Sequence, residues 1–115
     1  IIPGLLKKDG RPYMPFGVMG GAYQSNGHAR FMTNLTDFGM DVQTAIDAPR
    51  CFADGKVLNM ETGYGDDVRA ELSALGHDVQ TPEGPIGGAQ EIMVSDDAVL
   101  VGGSDPRTDG CALCY

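Results

Sequence analysis

Two glycines in succession, Gly20-Gly21, stand where a strand-like run, residues 13–19, gives way to a helix-like one. No other feature restricts the chain so tightly. A glycine pair removes every Cβ that would hold another group off the backbone, and it permits positive φ values that can aim adjacent N–H groups at one point. Such a corner is either a tight strand-to-helix turn or a site for an anion or an oxyanion. Its neighbours, Gly17-Val18-Met19 before it and Gln24-Ser25-Asn26-Gly27-His28 after it, belong to the same stretch.

The flanks show how the chain reaches and leaves this corner. Residues 5–8 and 11–16 read as a β-hairpin about Asp9-Gly10, a dipeptide that supplies the positive φ a tight hairpin turn requires. Pro12 and Pro15 each remove a ladder donor, so part of the second strand is expected at an edge or a bulge. Beyond the glycines, Ser25 or Asn26 caps a helix in which Phe31, Met32, Leu35 and Phe38 repeat with helical period. Gly39 ends it as a left-handed residue. Arg30, Thr33, Asn34 and Asp37 read as its solvated face. Asp41 then caps a shorter helix with Val42, Ala45 and Ile46 inward, and Pro49 stops it by forcing Ala48 out of the α region.

The second half repeats the mixture. Residues 50–53 and 57–61 read as short strands joined through Asp54-Gly55. Asp66 and Asp67 open a third helix, where negative charge suits the positive end of the helix dipole, with Val68, Leu72 and Leu75 as its buried stripe. Gly76 stops it, residues 77–81 form a brief strand, and residues 82–88 form a loop in which Gly87-Gly88 reads as a turn. A last hairpin pairs residues 89–94 with 98–101. Strands and helices in this order imply an α+β or layered α/β arrangement. Residues 1–115 are expected to form a single domain, with no repeat or linker to mark an internal boundary.

Charge narrows the function. Sixteen acidic against eight basic residues give a formal net charge of −8, so nothing like a basic patch is available for a nucleic-acid backbone. No apolar run approaches the ~20 residues of a membrane span, and the opening Ile1-Ile2-Pro3-Gly4 reads as a strand rather than a signal peptide. Three cysteines, an odd number, argue against a fully paired disulfide framework and leave the compartment open.

Other chemistry-bearing residues are sparse. Cys111-Ala112-Leu113-Cys114 has C-x-x-C spacing without a second pair, which favours ordinary thiols over a metal site. His28 and His77 fall in different elements, His28 as a packing or hydrogen-bonding residue and His77 on the surface. Arg107 can bind a carboxylate through its guanidinium, but Asp105 and Asp109 flank it closely, and an internal ion pair that fixes the C-terminal segment is the preferred reading.

The run from Gly17 through Gly27-His28 to Asp37-Phe38-Gly39-Met40 and Ala45-Ile46-Asp47-Ala48-Pro49-Arg50 resembles the small subunit of the γ-glutamyltransferase (γ-glutamyltranspeptidase) family. Ser104-Asp105-Pro106-Arg107 and Asp109-Gly110 extend the resemblance over nearly the whole chain. These are self-processing N-terminal nucleophile hydrolases, so the resemblance implies part of a four-layer αββα sandwich and places the chain in the C-terminal portion of a small subunit. It also implies that the backbone N–H groups of Gly20 and Gly21 form the oxyanion hole, with no metal or organic cofactor. Cys111 and Cys114 depart from the family pattern, which has small residues near the final tyrosine.

The resemblance implies an acyl-transfer enzyme only in part. The family's nucleophile is a threonine with a free α-amine, whereas this chain opens on Ile1, so the nucleophile is expected outside it. Implied partners are the remainder of the enzyme, with its large subunit and nucleophile-bearing segment, or a second copy through self-association. The implied substrate is a γ-glutamyl amide, an acylated β-lactam or another small amide, and many members are periplasmic or extracellular. The alternative is a nucleophile-free binding or structural protein that keeps the scaffold and works by binding or association.

Overall fold

The computed structural model describes residues 2–113. They pack as two compact units: the residues up to Asp47 together with those from Gly87 onward, and separately Ala48–Ile86.

The first unit is built on a four-stranded sheet. Strands β1 (Ile2–Lys8) and β2 (Arg11–Met19) form the expected hairpin, and Asp9 and Gly10 both take positive φ at its turn, 51° and 78°. The register slips between Leu6 and Lys7, which face Met14 and Pro12, so Tyr13 is the extra residue of a bulge beside the proline. Strands β6 (Gly88–Val94) and β7 (Leu100–Ser104) complete the order β1-β2-β6-β7, antiparallel throughout. Only Phe16 to Met19 of β2 pair with β6, so Pro12 and Pro15 deprive β6 of no donor.

Two helices cover one face of this sheet. α1 (Gln24–Thr36) follows a single 3-10 turn, Gly21–Tyr23, and α2 (Val42–Asp47) follows a reversal at Gly39, φ 64°. Val18 lies against Gly27 of α1, and Gly103 of β7 leaves room for Val42 and Ile46 of α2. The core between them holds Met14, Val18, Tyr23, Phe31, Val42, Ala45, Ile46 and Ala89.

Several expectations change here. The first helix begins before Ser25 and Asn26, which lie inside it; its start is set by backbone geometry, with Tyr23 N–H donating to the Gly20 carbonyl at 3.1 Å. Phe38 lies past the helix end and is 65% exposed, because the chain turns back through Phe38 N–H to Thr33 O and Met40 N–H to Asn34 O. Asn34 belongs to the interior: it is 1% exposed, and its Nδ2 donates to the Ala45 carbonyl at 3.2 Å, tying α1 to α2.

The second unit holds β3 (Cys51–Asp54), β4 (Val57–Met60), α3 (Asp66–Ala74) and β5 (Asp78–Gln80), with β4 antiparallel to β3 and parallel to β5. Glu61 ties its ends together, accepting from Arg50 N–H at 2.9 Å and Ile86 N–H at 3.2 Å. Arg69 of α3 donates to the Met60 carbonyl at 2.7 Å. Val68 and Leu75 are exposed, contrary to the expected buried stripe, with Leu75 at 78%. Strands of three and four residues present too little surface to cover the whole stripe.

Candidate active site

The glycine corner is the end of β2. The ladder with β6 stops at Met19 opposite Gly88, and Gly20 and Gly21 follow with φ 127° and 58°. Both are exposed. Their carbonyls are used, Gly20 O by Tyr23 N–H and Gly21 O by the Gln24 side chain at 3.0 Å. Among the described residues, neither Gly20 N–H nor Gly21 N–H donates a backbone hydrogen bond to a turn, loop or cap.

A second glycine pair holds the first in place. A Cβ on Gly20 would stand 2.9 Å from the Gly87 Cα, and one on Gly87, φ 65°, would meet the Met19 carbonyl oxygen. Both corners also pack on the Tyr23 ring. The Gly87-Gly88 loop, read from the sequence as an ordinary turn, is therefore part of the corner. Its only sequence signal is the repeated Gly-Gly, since the contact joins distant parts of the chain.

Asp105 lies behind this loop. It is 0% exposed; its Oδ2 accepts from Ala89 N–H at 2.8 Å and its Oδ1 from Arg107 N–H at 2.9 Å and Arg107 Nη1 at 3.2 Å. Arg107 Nη1 also donates to the Ile46 carbonyl at 3.1 Å. The internal ion pair read from the sequence is present, and Asp105 rather than exposed Asp109 is the carboxylate.

The remaining candidates are apart from the corner or otherwise engaged. His28 Nε2 is 2.9 Å from the Ile2 carbonyl, and its ring packs on Phe16, the packing role expected of it. His77 is exposed. Hydroxyls of Thr33, Thr36 and Thr108 donate to the carbonyls of Ala29, Met32 and Asp105, and that of Thr44 to the Asp41 carboxylate, so these four are spent on local structure. Cys51 is half-buried and Cys111 exposed; Cys114, and with it the C-x-x-C spacing, lies outside the described residues. Among the described residues no group of three or more His, Cys, Asp or Glu side chains is placed to hold a metal ion. Nor is any described helix long and apolar enough to cross a membrane.

The corner thus presents two exposed glycines at positive φ whose backbone amides lie past the last pair of the β2–β6 ladder. The family model for gamma-glutamyltranspeptidase matches residues 1–115. The chain belongs to the γ-glutamyltranspeptidase family. A glutathione hydrolase proenzyme of Escherichia coli (strain K12) is 33% identical to it, over 92% of this chain and 18% of that protein. The crystal structure of cephalosporin acylase from Bacillus halodurans is 42% identical, with a TM-score of 0.91 over 100% of this chain and 22% of that one. A γ-glutamyltranspeptidase from Pseudomonas nitroreducens, at 23% identity, shares the fold with a TM-score of 0.90 over 99% of this chain and 61% of that one. The architecture is thus the α+β fold of γ-glutamyltranspeptidases, part of the αββα sandwich of N-terminal nucleophile hydrolases. The chain spans about a fifth of the length of the curated relatives it matches, 23% and 18% for two of them.

Proposed function

We propose that the chain works as part of a γ-glutamyltransferase-like amide hydrolase, in which the N–H groups of Gly20 and Gly21 stabilise the oxyanion formed when a nucleophile attacks the substrate carbonyl. One observation carries the reading: two adjacent exposed glycines at positive φ lie past the last ladder pair of β2, their carbonyls engaged and their amides outside the ladder. Donors fixed before reaction stabilise charge in the transition state without reorganising, which is why such corners serve acyl transfer. The chain is, on this reading, the C-terminal portion of a small subunit; the threonine nucleophile and the groups that select the acyl chain are contributed by the remainder of the enzyme.

The substrate class proposed is a γ-glutamyl amide such as glutathione, supported by the name of the glutathione hydrolase relative. The acylase relative supports the same carbonyl chemistry on a different acyl group. A chromogenic γ-glutamyl anilide offered to the full-length protein tests the activity. Replacing the Gly20 or the Gly21 amide by an ester, which exchanges N–H for oxygen, tests the donors. Each replacement is expected to lower kcat by about 10²- to 10³-fold. Unchanged kcat in both esters refutes the role given to the glycines.

A further inference from the structure

We infer that Asp105 is a positioning residue for the glycine corner, holding Gly20 in place through the first residues of β6. The inference deepens the proposed function and rests on that reading. Asp105 grips Ala89 at both of its backbone groups: the carboxylate accepts the Ala89 N–H at 2.8 Å, and the Asp105 N–H donates to the Ala89 carbonyl at 3.2 Å. Ala89 is paired with Val18, and Gly88 with Met19, the residue next to Gly20. One residue earlier, the backbone of Gly87 lies directly against the corner: a Cβ on Gly20 would stand 2.9 Å from the Gly87 Cα, and one on Gly87 would meet the Met19 carbonyl oxygen. The buried carboxylate thus fixes the strand start that forms the wall of the corner.

The other end of the clamp is Arg107. Its backbone N–H and Nη1 both donate to Asp105 Oδ1, and Nη1 also reaches the carbonyl of Ile46 near the end of α2. A fully buried carboxylate that receives N–H donors from two segments cannot be replaced by a group with fewer acceptors without leaving a donor unpaired. Asn has the same shape but turns one acceptor into a donor, aimed at either Ala89 N–H or the Arg107 pair. The strand start then shifts, and the Gly20 and Gly21 amides shift with it. Displacements of this size matter because oxyanion donors work only near their ideal distance.

The test uses Asp105→Asn in the full-length protein, with ¹⁵N-glycine labelling and steady-state kinetics on the γ-glutamyl anilide. The Gly20 and Gly21 amide resonances are expected to move, whereas those of Gly55, Gly63 and Gly76 in the second unit stay put. A fall in kcat of about 10²-fold with KM within about threefold of the parent is expected, since the loss falls on the transition state alone. A purely structural Asp105 would lower thermal stability and leave both the glycine resonances and kcat unmoved, and that result overturns the inference. If Asp105→Asn fails to fold, Arg107→Lys, which keeps the charge but loses the planar fork, is read by the same two signals with smaller shifts expected. Absence of turnover in the parent refutes the proposed activity instead, and the glycine resonances still decide whether Asp105 holds the corner.

Discussion

Gly20 and Gly21 are neighbours with different reasons for being glycine. Gly20 combines φ 127°, a region closed to side chains, with a Cβ position 2.9 Å from the Gly87 Cα, whereas Gly21 has φ 58° and nothing within 4 Å of its Cβ position. Gly21→Ala is therefore expected to cost only the left-handed penalty, ~1 kcal/mol. Gly20→Ala adds strain and a backbone clash, roughly 2–5 kcal/mol in all. Urea unfolding of the two variants gives the order directly, and equal or reversed costs would show the corner to be looser than described. At this scale the sequence is informative where the partner is local. The ion pair of Arg107 with Asp105 spans two residues and is readable from the local sequence, which offered Asp105 and Asp109 as its carboxylate. Neither the Gly20–Gly87 contact nor the burial of Asn34 is readable in that way, because each depends on an element brought in by the fold.

Elements were legible where backbone chemistry determines them. Asp9-Gly10 and Asp41 mark a hairpin turn and a helix start, and each occupies that place; Gly39 is left-handed as expected but lies three residues beyond Thr36, the last residue of α1. The start of α1 was not legible, since Gly20 and a 3-10 turn begin it without any side-chain cap. Nor was the exposure of the α3 stripe, which depends on how little sheet the second unit offers. The cap at Asp41 gives a pH prediction. The Thr44 hydroxyl, first, and then the Thr44 N–H donate to its carboxylate and hold its pKa below the ordinary value. A group with a depressed folded pKa stabilises the native state above its unfolded pKa and ceases to do so as pH falls through the folded value. The stability advantage of the parent over Asp41→Asn is thus expected to be full above about pH 5 and to vanish progressively in more acid solution. A difference between the two proteins that is constant from neutral to acid pH would show that the charge on Asp41 does not contribute.

For the whole molecule, the family fold sets the last expectation. Cross-strand partners share a face, so the sheet side away from α1 and α2 carries Leu5, Met19, Ile92 and Leu100, all exposed. Among the described residues the C-terminal segment crosses only part of that side, with Thr108 over Gly88, Gly110 beside Gln90 and Ser104, and Ala112 over Gly102. β1 and β7 are also outer strands of this sheet, with edges open to further pairing. In an αββα sandwich this side packs on a second sheet, and the chain spans only about a fifth of its curated relatives. Large exposed aliphatic side chains on one flat face favour association, at ~25 cal/mol for each Å² of apolar surface withdrawn from water. The 115-residue chain prepared alone is accordingly expected to self-associate as its concentration rises and to bind an apolar dye, with both effects reduced in an Leu5→Lys, Ile92→Lys double variant. Sedimentation velocity measures the first and dye fluorescence the second. A monodisperse monomer at high concentration with no dye binding would mean that this face needs no cover, and would remove the physical reason for a partner sheet.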